Sequence, residues 1–383
     1  MRYNKLGATE LNVSEVGLGC EHLENKEEKV VSDVVGEAID QGINILDVFM
    51  PEPNVRTYIG NALKGRRDKV ILQGHIGATW QNGQYCRTRD ADLNKTYFED
   101  FLTRLQTDYV DIGMLHFIDT MEDWETVLHG PVMEYVRKLK ENGIIRAVGM
   151  SSHNASVSLE AVKSGLIDVL MFSLNPAFDL LPESADLDSL FKKDSYQQEG
   201  LLGMNPVRET LYRTCEAKGV GITVMKGFGA GSLLHEESSP FHVALTPSQL
   251  LQYALTRPAV GSVLVGCRTP DEVQKAVVFE TATAQEKDYS AILGATKVYA
   301  MTGRCMYCNH CLPCPQNIDI AQVNKYFDLA AVQESVPATI RGHYEALAVH
   351  AGDCISCGQC EERCPFAVPV VKRMADVQAL FGK

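Results

Sequence analysis

Short apolar runs alternate with amphipathic stretches over residues 1 to about 300. The apolar runs predict strands at Val13–Leu18, Ile43–Leu46, Val70–Leu72, Val110–His116, Ile144–Met150, Val169–Leu174, Ile222–Met225 and Ser262–Val265. Between them, helix-like segments such as Lys29–Gln41, Ala91–Leu105, Trp124–Glu141, Pro206–Lys218 and Thr246–Leu255 carry the helical period. Several of these stop at a glycine, as in Gln41-Gly42, Asn142-Gly143 and Lys218-Gly219, which suits a left-handed C-terminal cap. Eight strands, each followed by a helix, imply an α/β fold with a parallel sheet closing into a (β/α)8 barrel of the TIM type. An open doubly wound sheet competes, but no GxGxxG follows the first strand. The segment from Phe178 to Asn205 is long, polar and without period. It lies between the sixth strand and the helix after it, so it reads as a lid or as a passive insertion.

Composition narrows the function without choosing it. The chain has 383 residues, 45 % hydrophobic and 22 % charged, which are globular values. A net charge of −13 argues against a nucleic-acid partner, which would want a basic face. No apolar run approaches the ~18–20 residues of a membrane span, and Met1-Arg2-Tyr3-Asn4-Lys5 lacks the apolar core of a secretory signal. A cytoplasmic location without membrane association is the expectation.

Cysteine changes the picture. Of 12 cysteines, Cys20, Cys86, Cys215 and Cys267 are scattered and are expected to be reduced thiols, mostly buried. The other eight fall between Cys305 and Cys364 in two runs. The first is Cys305-x2-Cys308-x2-Cys311-x2-Cys314-Pro315, and the second is Cys354-x2-Cys357-x2-Cys360-x3-Cys364-Pro365. Zinc sites pair their ligands across a longer loop. Three thiolates at successive gaps of two, with a fourth before proline, match instead the bacterial ferredoxin spacing, whose last cysteine serves the other cluster. Two 4Fe–4S clusters are expected, one on Cys305, Cys308, Cys311 and Cys364, the other on Cys354, Cys357, Cys360 and Cys314. The x2 gap before Cys314, where x3 is standard, leaves the geometry of the first run open. The chain divides accordingly into a barrel over 1–296 and a small, mainly helical ferredoxin-like domain over 297–383.

Several segments together resemble the aldo-keto reductase family. They are Lys5-Leu6-Gly7 with Val13-Ser14-Glu15-Val16-Gly17-Leu18-Gly19, Gly42-Ile43-Asn44-Ile45-Leu46-Asp47, Leu105-Gln106-Thr107-Asp108-Tyr109-Val110-Asp111, Val148-Gly149-Met150-Ser151 and Gly266-Cys267-Arg268-Thr269. The cysteine tail resembles that family's ferredoxin-tailed branch. The resemblance implies hydride transfer from a nicotinamide cofactor, with a tyrosine as proton donor, a lysine and aspartate that tune it, and a histidine beside them. Asp47 matches the aspartate, and His116 in Met114-Leu115-His116 matches the histidine. Glu52 stands where the tyrosine is expected, in a register fixed by Tyr58-Ile59-Gly60-Asn61-Ala62-Leu63. His75, in Leu72-Gln73-Gly74-His75, stands in place of the lysine. Met171 replaces an expected glutamine and Ser152, after Ser151, an expected asparagine on the nicotinamide side. Gly266, Arg268, Thr269 and Glu272 match the phosphate- and adenosine-binding turn, and Lys226 follows the seventh strand where relatives contact the cofactor. NADPH or NADH is implied, without a choice between them.

The two replaced roles suggest different proton chemistry. A glutamate with a reference pKa of ~4.3 donates at neutral pH only if burial raises it, whereas histidine, at ~6.5, needs no such help. The reading is an Asp47–His75 pair in which the carboxylate orients the imidazole. His75 or Glu52 would exchange the proton, and His116 would donate to a substrate oxygen. Three functions follow. The first is an iron–sulfur oxidoreductase acting on a small oxygenated substrate, with a redox partner protein as a further expectation. The second is a lyase or isomerase using acid–base or metal-assisted chemistry, since two imidazoles and two carboxylates can also hold a divalent metal. The third is a catalytically silent electron-transfer subunit.

Overall fold

A computed structural model describes residues 1–182, 189–196, 203–290, 293, 303–331 and 335–383. Eight strands close into a barrel: β1 (Val16–Gly19), β2 (Ile45–Val48), β3 (Ile71–Ile76), β4 (Val110–Leu115), β5 (Ile145–Ser152), β6 (Val169–Ser173), β7 (Gly221–Met225) and β8 (Val260–Gly266). Each is parallel to its neighbours in the chain, and β8 pairs with β1 to complete the ring. Around it run α1 (Glu28–Asp40), α2 (Pro53–Ala62), α3 (Ala91–Arg104), α4 (Met121–His129), α5 (Pro131–Glu141), α6 (Ala155–Ser164), α7 (Pro206–Lys218), α8 (Pro247–Leu255) and α9 (Pro270–Val277). This is the (β/α)8 TIM architecture that the alternation of apolar runs implied.

Two departures from the predicted elements have local causes. The run Val13–Leu18 divides between β1 and a hairpin of Tyr3–Lys5 with Asn12–Ser14. Leu6, Leu11 and Val13 of that hairpin join Ile45, Ile112, Met114, Ala147, Val169, Met171 and Leu264 in a core inside the barrel, so the hairpin plugs its N-terminal end. The single helix expected over Trp124–Glu141 is two, α4 and α5. Pro131 opens the second, and a Cβ on Gly130 would lie 2.3 Å from the Thr126 carbonyl oxygen. The glycine stops at Gly42, Gly143 and Gly219 do have positive φ, at 89°, 70° and 71°.

The cysteine-rich tail contributes the helices Ile320–Ala331, Ala338–Glu345, Gln359–Arg363 and Val370–Phe381. It docks on the outside of α7 and on the turn after α8. Buried Arg257 donates to the Met306 carbonyl at 2.5 Å, and Tyr289 reaches the same oxygen at 2.8 Å. Arg213 of α7 bonds the Asp328 carbonyl, and Glu209 pairs with Arg304 at 3.1 Å. In the strand ring this side faces away from β3. The boundary expected at 296/297 lies outside the described residues, as do 183–188 and 197–202 of the suspected lid. The lid's described start is anchored. Asp179 accepts from Tyr212 of α7 at 2.5 Å and from Tyr253 of α8 at 2.7 Å, and burial raises its pKa despite Arg208. Among the described residues, no helix is long and apolar enough to cross a membrane.

Two glycines should respond with opposite signs to the same change. A Cβ on Gly60 of α2 would come 2.2 Å from the Arg104 carbonyl, so Gly60→Ala should cost ~1–3 kcal/mol. Gly36 of α1 has nothing within 4 Å, so Gly36→Ala should stabilise by ~0.5–1 kcal/mol. Urea unfolding of both variants measures the pair.

Candidate active site

Side chains alternate along a strand, and at the C-terminal end of the barrel this alternation assembles polar groups from three neighbouring strands. On β2, Leu46 and Val48 pack outward into the helical layer, leaving Ile45 and Asp47 to face inward. On β3 the inward positions are Gln73 and His75, and on β4 they are Ile112 and Met114, with His116 just beyond the strand. Asp47, His75 and His116 are all buried.

They are joined in sequence. Asp47 Oδ1 lies 2.9 Å from His75 Nε2, and His75 Nδ1 lies 2.8 Å from His116 Nδ1. His116 Nε2 is in turn 2.7 Å from the hydroxyl of Tyr85. Gln73 Nε2 also donates to Asp47 Oδ1, at 3.0 Å, and sits 3.8 Å from the Met171 sulfur across the barrel. With Asp47 ionised and both imidazoles neutral, one arrangement of protons satisfies every link. An ionised carboxylate only accepts, so His75 donates from Nε2 and accepts at Nδ1. His116 must then donate from Nδ1, which leaves its Nε2 to accept from the Tyr85 phenol. Both imidazoles are neutral in this state. Burial, aided by the neighbouring basic groups His75, Arg89, Arg87 and His153, holds His116 well below the ordinary histidine value. Phe49 stacks on the His116 ring at 5.5 Å. Burial also raises the Tyr85 pKa, against the pull of Arg87 and Arg89.

Tyr85 was not anticipated from the sequence. It belongs to a second hairpin, Ala78–Gln81 with Gln84–Arg87, inserted between β3 and α3. Its turn is Asn82-Gly83, with φ of 53° and 76°, the pair of left-handed residues that a two-residue type I′ turn requires. That dipeptide was the available signal. The hairpin is fixed by Tyr97 of α3, whose hydroxyl donates to the Trp80 carbonyl at 2.5 Å. Arg89 clamps the other side. It donates to the carbonyls of His116 and Phe117, at 2.9 and 3.1 Å, and to Asp123 through two nitrogens.

The remaining expected residues divide. Glu52 stands outside the relay. Its two carboxylate oxygens accept from the amides of Asn54, at 2.9 Å, and Val55, at 2.7 Å, capping α2 with Pro53 at its first position. His116, expected to donate to a substrate oxygen, has both ring nitrogens beside partners in this structure, His75 on one side and Tyr85 on the other. Ser151 Oγ accepts from the Phe117 amide at 2.8 Å, and Ser152 Oγ donates to Asp119 at 3.0 Å. Asp119 also pairs with His153 at 2.9 Å. Met171 lines the barrel interior, and Lys226 has a left-handed φ of 58° after β7. Thr269 and Glu272 close the start of α9 on one another: Thr269 Oγ1 accepts from the Glu272 amide at 3.3 Å, and the Glu272 carboxylate accepts from the Arg268 amide at 2.6 Å. The Arg268 side chain is left exposed beside them. At Gly266 a Cβ would come 2.4 Å from the His22 ring, so the turn admits only a bare backbone there.

In the tail, Cys305, Cys308, Cys311 and Cys364 line one cavity, and Cys314, Cys354, Cys357 and Cys360 line another. These sets match those expected from the spacing. Among the described residues, no group of three or more His, Cys, Asp or Glu side chains converges on a point that would suit a single metal ion. A cubane holds its ligands apart around a volume, so cysteines spread over a cavity wall fit a cluster better than a lone zinc. At the barrel mouth the same finding removes the support for a divalent site on Asp47, Glu52, His75 and His116, since Glu52 is engaged elsewhere.

A closed parallel barrel with acid–base groups at its C-terminal mouth and an iron–sulfur tail defines a barrel oxidoreductase. The chain belongs to the aldo/keto reductase family, whose profile matches residues 15–250, and a 4Fe-4S dicluster domain matches residues 304–369. It is 32 % identical over 318 residues to the uncharacterized oxidoreductase YqkF of Bacillus subtilis (strain 168), covering 78 % of this chain and 97 % of that protein. It is 25 % identical over 310 residues to the NADH-specific methylglyoxal reductase of Escherichia coli (strain K12), covering 72 % and 93 %. Among solved structures, the holo form of aldo-keto reductase AKR11C1 from Bacillus halodurans matches with a TM-score of 0.60 and 25 % identity, over 78 % of this chain and 97 % of that one.

The depressed pKa of His116 predicts how acid affects the fold. Its folded value lies below that of the unfolded chain, so as the pH falls through about 6.5 the unfolded state takes up the proton first. Stability should therefore drop on acidification from pH 7 to 5. His116→Gln should flatten that slope in anaerobic thermal unfolding, whereas an unchanged slope would mean that His116 is not the buried neutral group.

Proposed function

We propose that the protein is an oxidoreductase interconverting a carbonyl and an alcohol on a small substrate, with Tyr85 as the group that exchanges the proton. The observation that carries this is the unbroken chain Asp47–His75–His116–Tyr85. A phenol with a reference pKa of ~10, raised further by burial, is protonated at neutral pH and suited to general acid work. It occupies the chemical role that the family gives to a tyrosine on another loop, while His75 and Asp47 stand for the lysine and aspartate.

The proton count of the relay sets its direction. With both imidazoles neutral, the Tyr85 proton points inward to His116, and the phenol oxygen offers lone pairs to a substrate hydroxyl. As that hydroxyl gives up its proton to Tyr85, one proton moves along each link, and Asp47 ends protonated. One extra proton, carried by His75 against Asp47, reverses the links. His75 then donates to His116 Nδ1, His116 donates from Nε2 to the Tyr85 oxygen, and the phenol proton turns toward a substrate carbonyl. Nicotinamide, when bound, supplies or accepts the hydride. Gly266 and the exposed Arg268 ahead of α9 suit its phosphates, and Ser151, Ser152, Met171 and Lys226 ring the mouth on the following strands. Likeness to an NADH-specific methylglyoxal reductase supports a small oxo substrate and leaves NADH and NADPH both in play. The tail holds two 4Fe–4S clusters on the two cysteine sets. Its place on the α7–α8 side, across the ring from β3, suits exchange of single electrons with a redox partner protein rather than contact with the substrate. Such a protein would work in solution, in the cytoplasm.

Tyr85→Phe should lower kcat by ~10²–10⁴-fold with KM little changed, in anaerobic turnover of a panel of small carbonyls. Glu52→Ala should cost about 1 kcal/mol of stability through the lost cap and leave the pH profile of kcat in place. If Glu52→Ala abolishes turnover and Tyr85→Phe does not, the assignment is reversed.

Cluster number can be counted directly. The intact chain should hold about eight iron and eight sulfide. Cys364→Ser and Cys314→Ser should each remove about half, from different clusters, so that the double variant loses nearly all. A single variant that loses everything would show one shared site.

A further inference from the structure

We propose that Arg87 receives the carboxylate of the substrate, which makes the preferred substrates small oxo acids and hydroxy acids. This deepens the reading of Tyr85 as the proton-exchanging group and rests on it. Tyr85 and Arg87 are two residues apart on the strand Gln84–Arg87, paired with Trp80 and Ala78, so their side chains leave the same face of the hairpin. Tyr85 reaches His116, and the Arg87 guanidinium lies 4.1 Å from the ring centre of Phe117, the next residue in the chain. Charge and phenol thus stand side by side at the mouth.

The platform under Arg87 is fixed. Phe117 has a left-handed φ of 53°, uncommon for a bulky residue. Its amide donates to Ser151 Oγ at 2.8 Å, and its carbonyl accepts from Arg89 at 3.1 Å. Its ring centre lies 5.0 Å from that of His153. A guanidinium lying on an aromatic face keeps its N–H edge free for a planar, two-oxygen partner.

The two neighbouring arginines differ in the way that matters. Arg89 is neutralised by Asp123, at 2.6 Å, and its donors are spent on backbone carbonyls. Among the described residues Arg87 forms no ion pair, and it is exposed. The nearby carboxylate, Asp119, is taken by His153 and Ser152. An arginine held in position and without a counter-ion among the described residues, next to the hydroxyl that handles the substrate oxygen, is a receptor for an anion on the same small molecule. A carboxylate bound to Arg87 would bring an adjacent carbonyl or hydroxyl to Tyr85. The charge of Arg87 is also felt by both Tyr85 and His116, consistent with their closeness.

Calorimetric titration of the full chain with its clusters tests this, using pyruvate and methyl pyruvate as acid and neutral ester, in the presence of NAD⁺ and separately of NADP⁺. The wild type should bind the acid about 10- to 100-fold more tightly than the ester. Arg87→Gln should bring that ratio close to one. Arg87→Lys, which keeps the charge but not the fork, should give an intermediate ratio. Equal binding of acid and ester by the wild type, no binding of either, or a preference surviving in Arg87→Gln would overturn the proposal. The two readings fail separately. Acid preference together with undiminished turnover in Tyr85→Phe would contradict the relay and leave Arg87 standing, whereas lost turnover without acid preference would do the reverse.

Discussion

An ionised carboxylate can accept hydrogen bonds but cannot donate them, and in this protein that asymmetry propagates outward from Asp47. It fixes the His75 tautomer, which fixes that of His116, which turns the Tyr85 phenol inward. A neutral imidazole has one donor and one acceptor, so the His75–His116 and His116–Tyr85 links reverse only together. The four groups behave as one device with two proton counts rather than as four independent residues. Burial strengthens the two inner links, and the positive charges around His116 disfavour a second proton at its outer end.

The barrel supplies the rigidity this requires. Asp47 and His75 sit on paired neighbouring strands, and His116 follows β4 directly, so their separations are set by strand spacing rather than by loops. The outermost member comes from a hairpin instead, which makes its anchors important: the bond of Tyr97 to the Trp80 carbonyl and the clamp of Arg89 on the backbone of His116 and Phe117. With a phenol supplied by the β3 hairpin, Glu52 caps α2. The hairpin also brings Arg87 to the mouth with the tyrosine. The iron–sulfur tail is attached to the opposite flank through Arg257, Arg213 and Glu209.

Much of this was legible in the sequence. Buried parallel strands are short and apolar, so all eight were located to within a few residues, and Asp47, His75 and His116 were placed at strand ends because the pattern ends there. The cysteine spacing groups the eight clustered cysteines into the same two sets that line separate cavities, since each triplet is local and only the fourth cysteines cross over. The hairpin of Ala78–Arg87 was not seen. Its strands are four residues each and half exposed, too short and too mixed in polarity for a period to stand out, although Asn82-Gly83 marks the turn. The contact between Tyr85 and His116 spans 31 residues and depends on how that hairpin folds back, which no local pattern encodes. Glu52 has two readings in the sequence. Its place in the family register suggested chemistry, whereas Glu52-Pro53 at the head of a helix is equally the signature of a cap.

The most direct test of the relay is the tautomeric state of its two histidines, read from the imidazole ¹⁵N resonances of selectively labelled protein at neutral pH. The relay predicts a proton on Nε2 of His75 and on Nδ1 of His116, with the His116 pattern shifting in Tyr85→Phe. A proton on Nε2 of His116 in the resting protein would mean that the phenol is not its donor, and would contradict the relay as described.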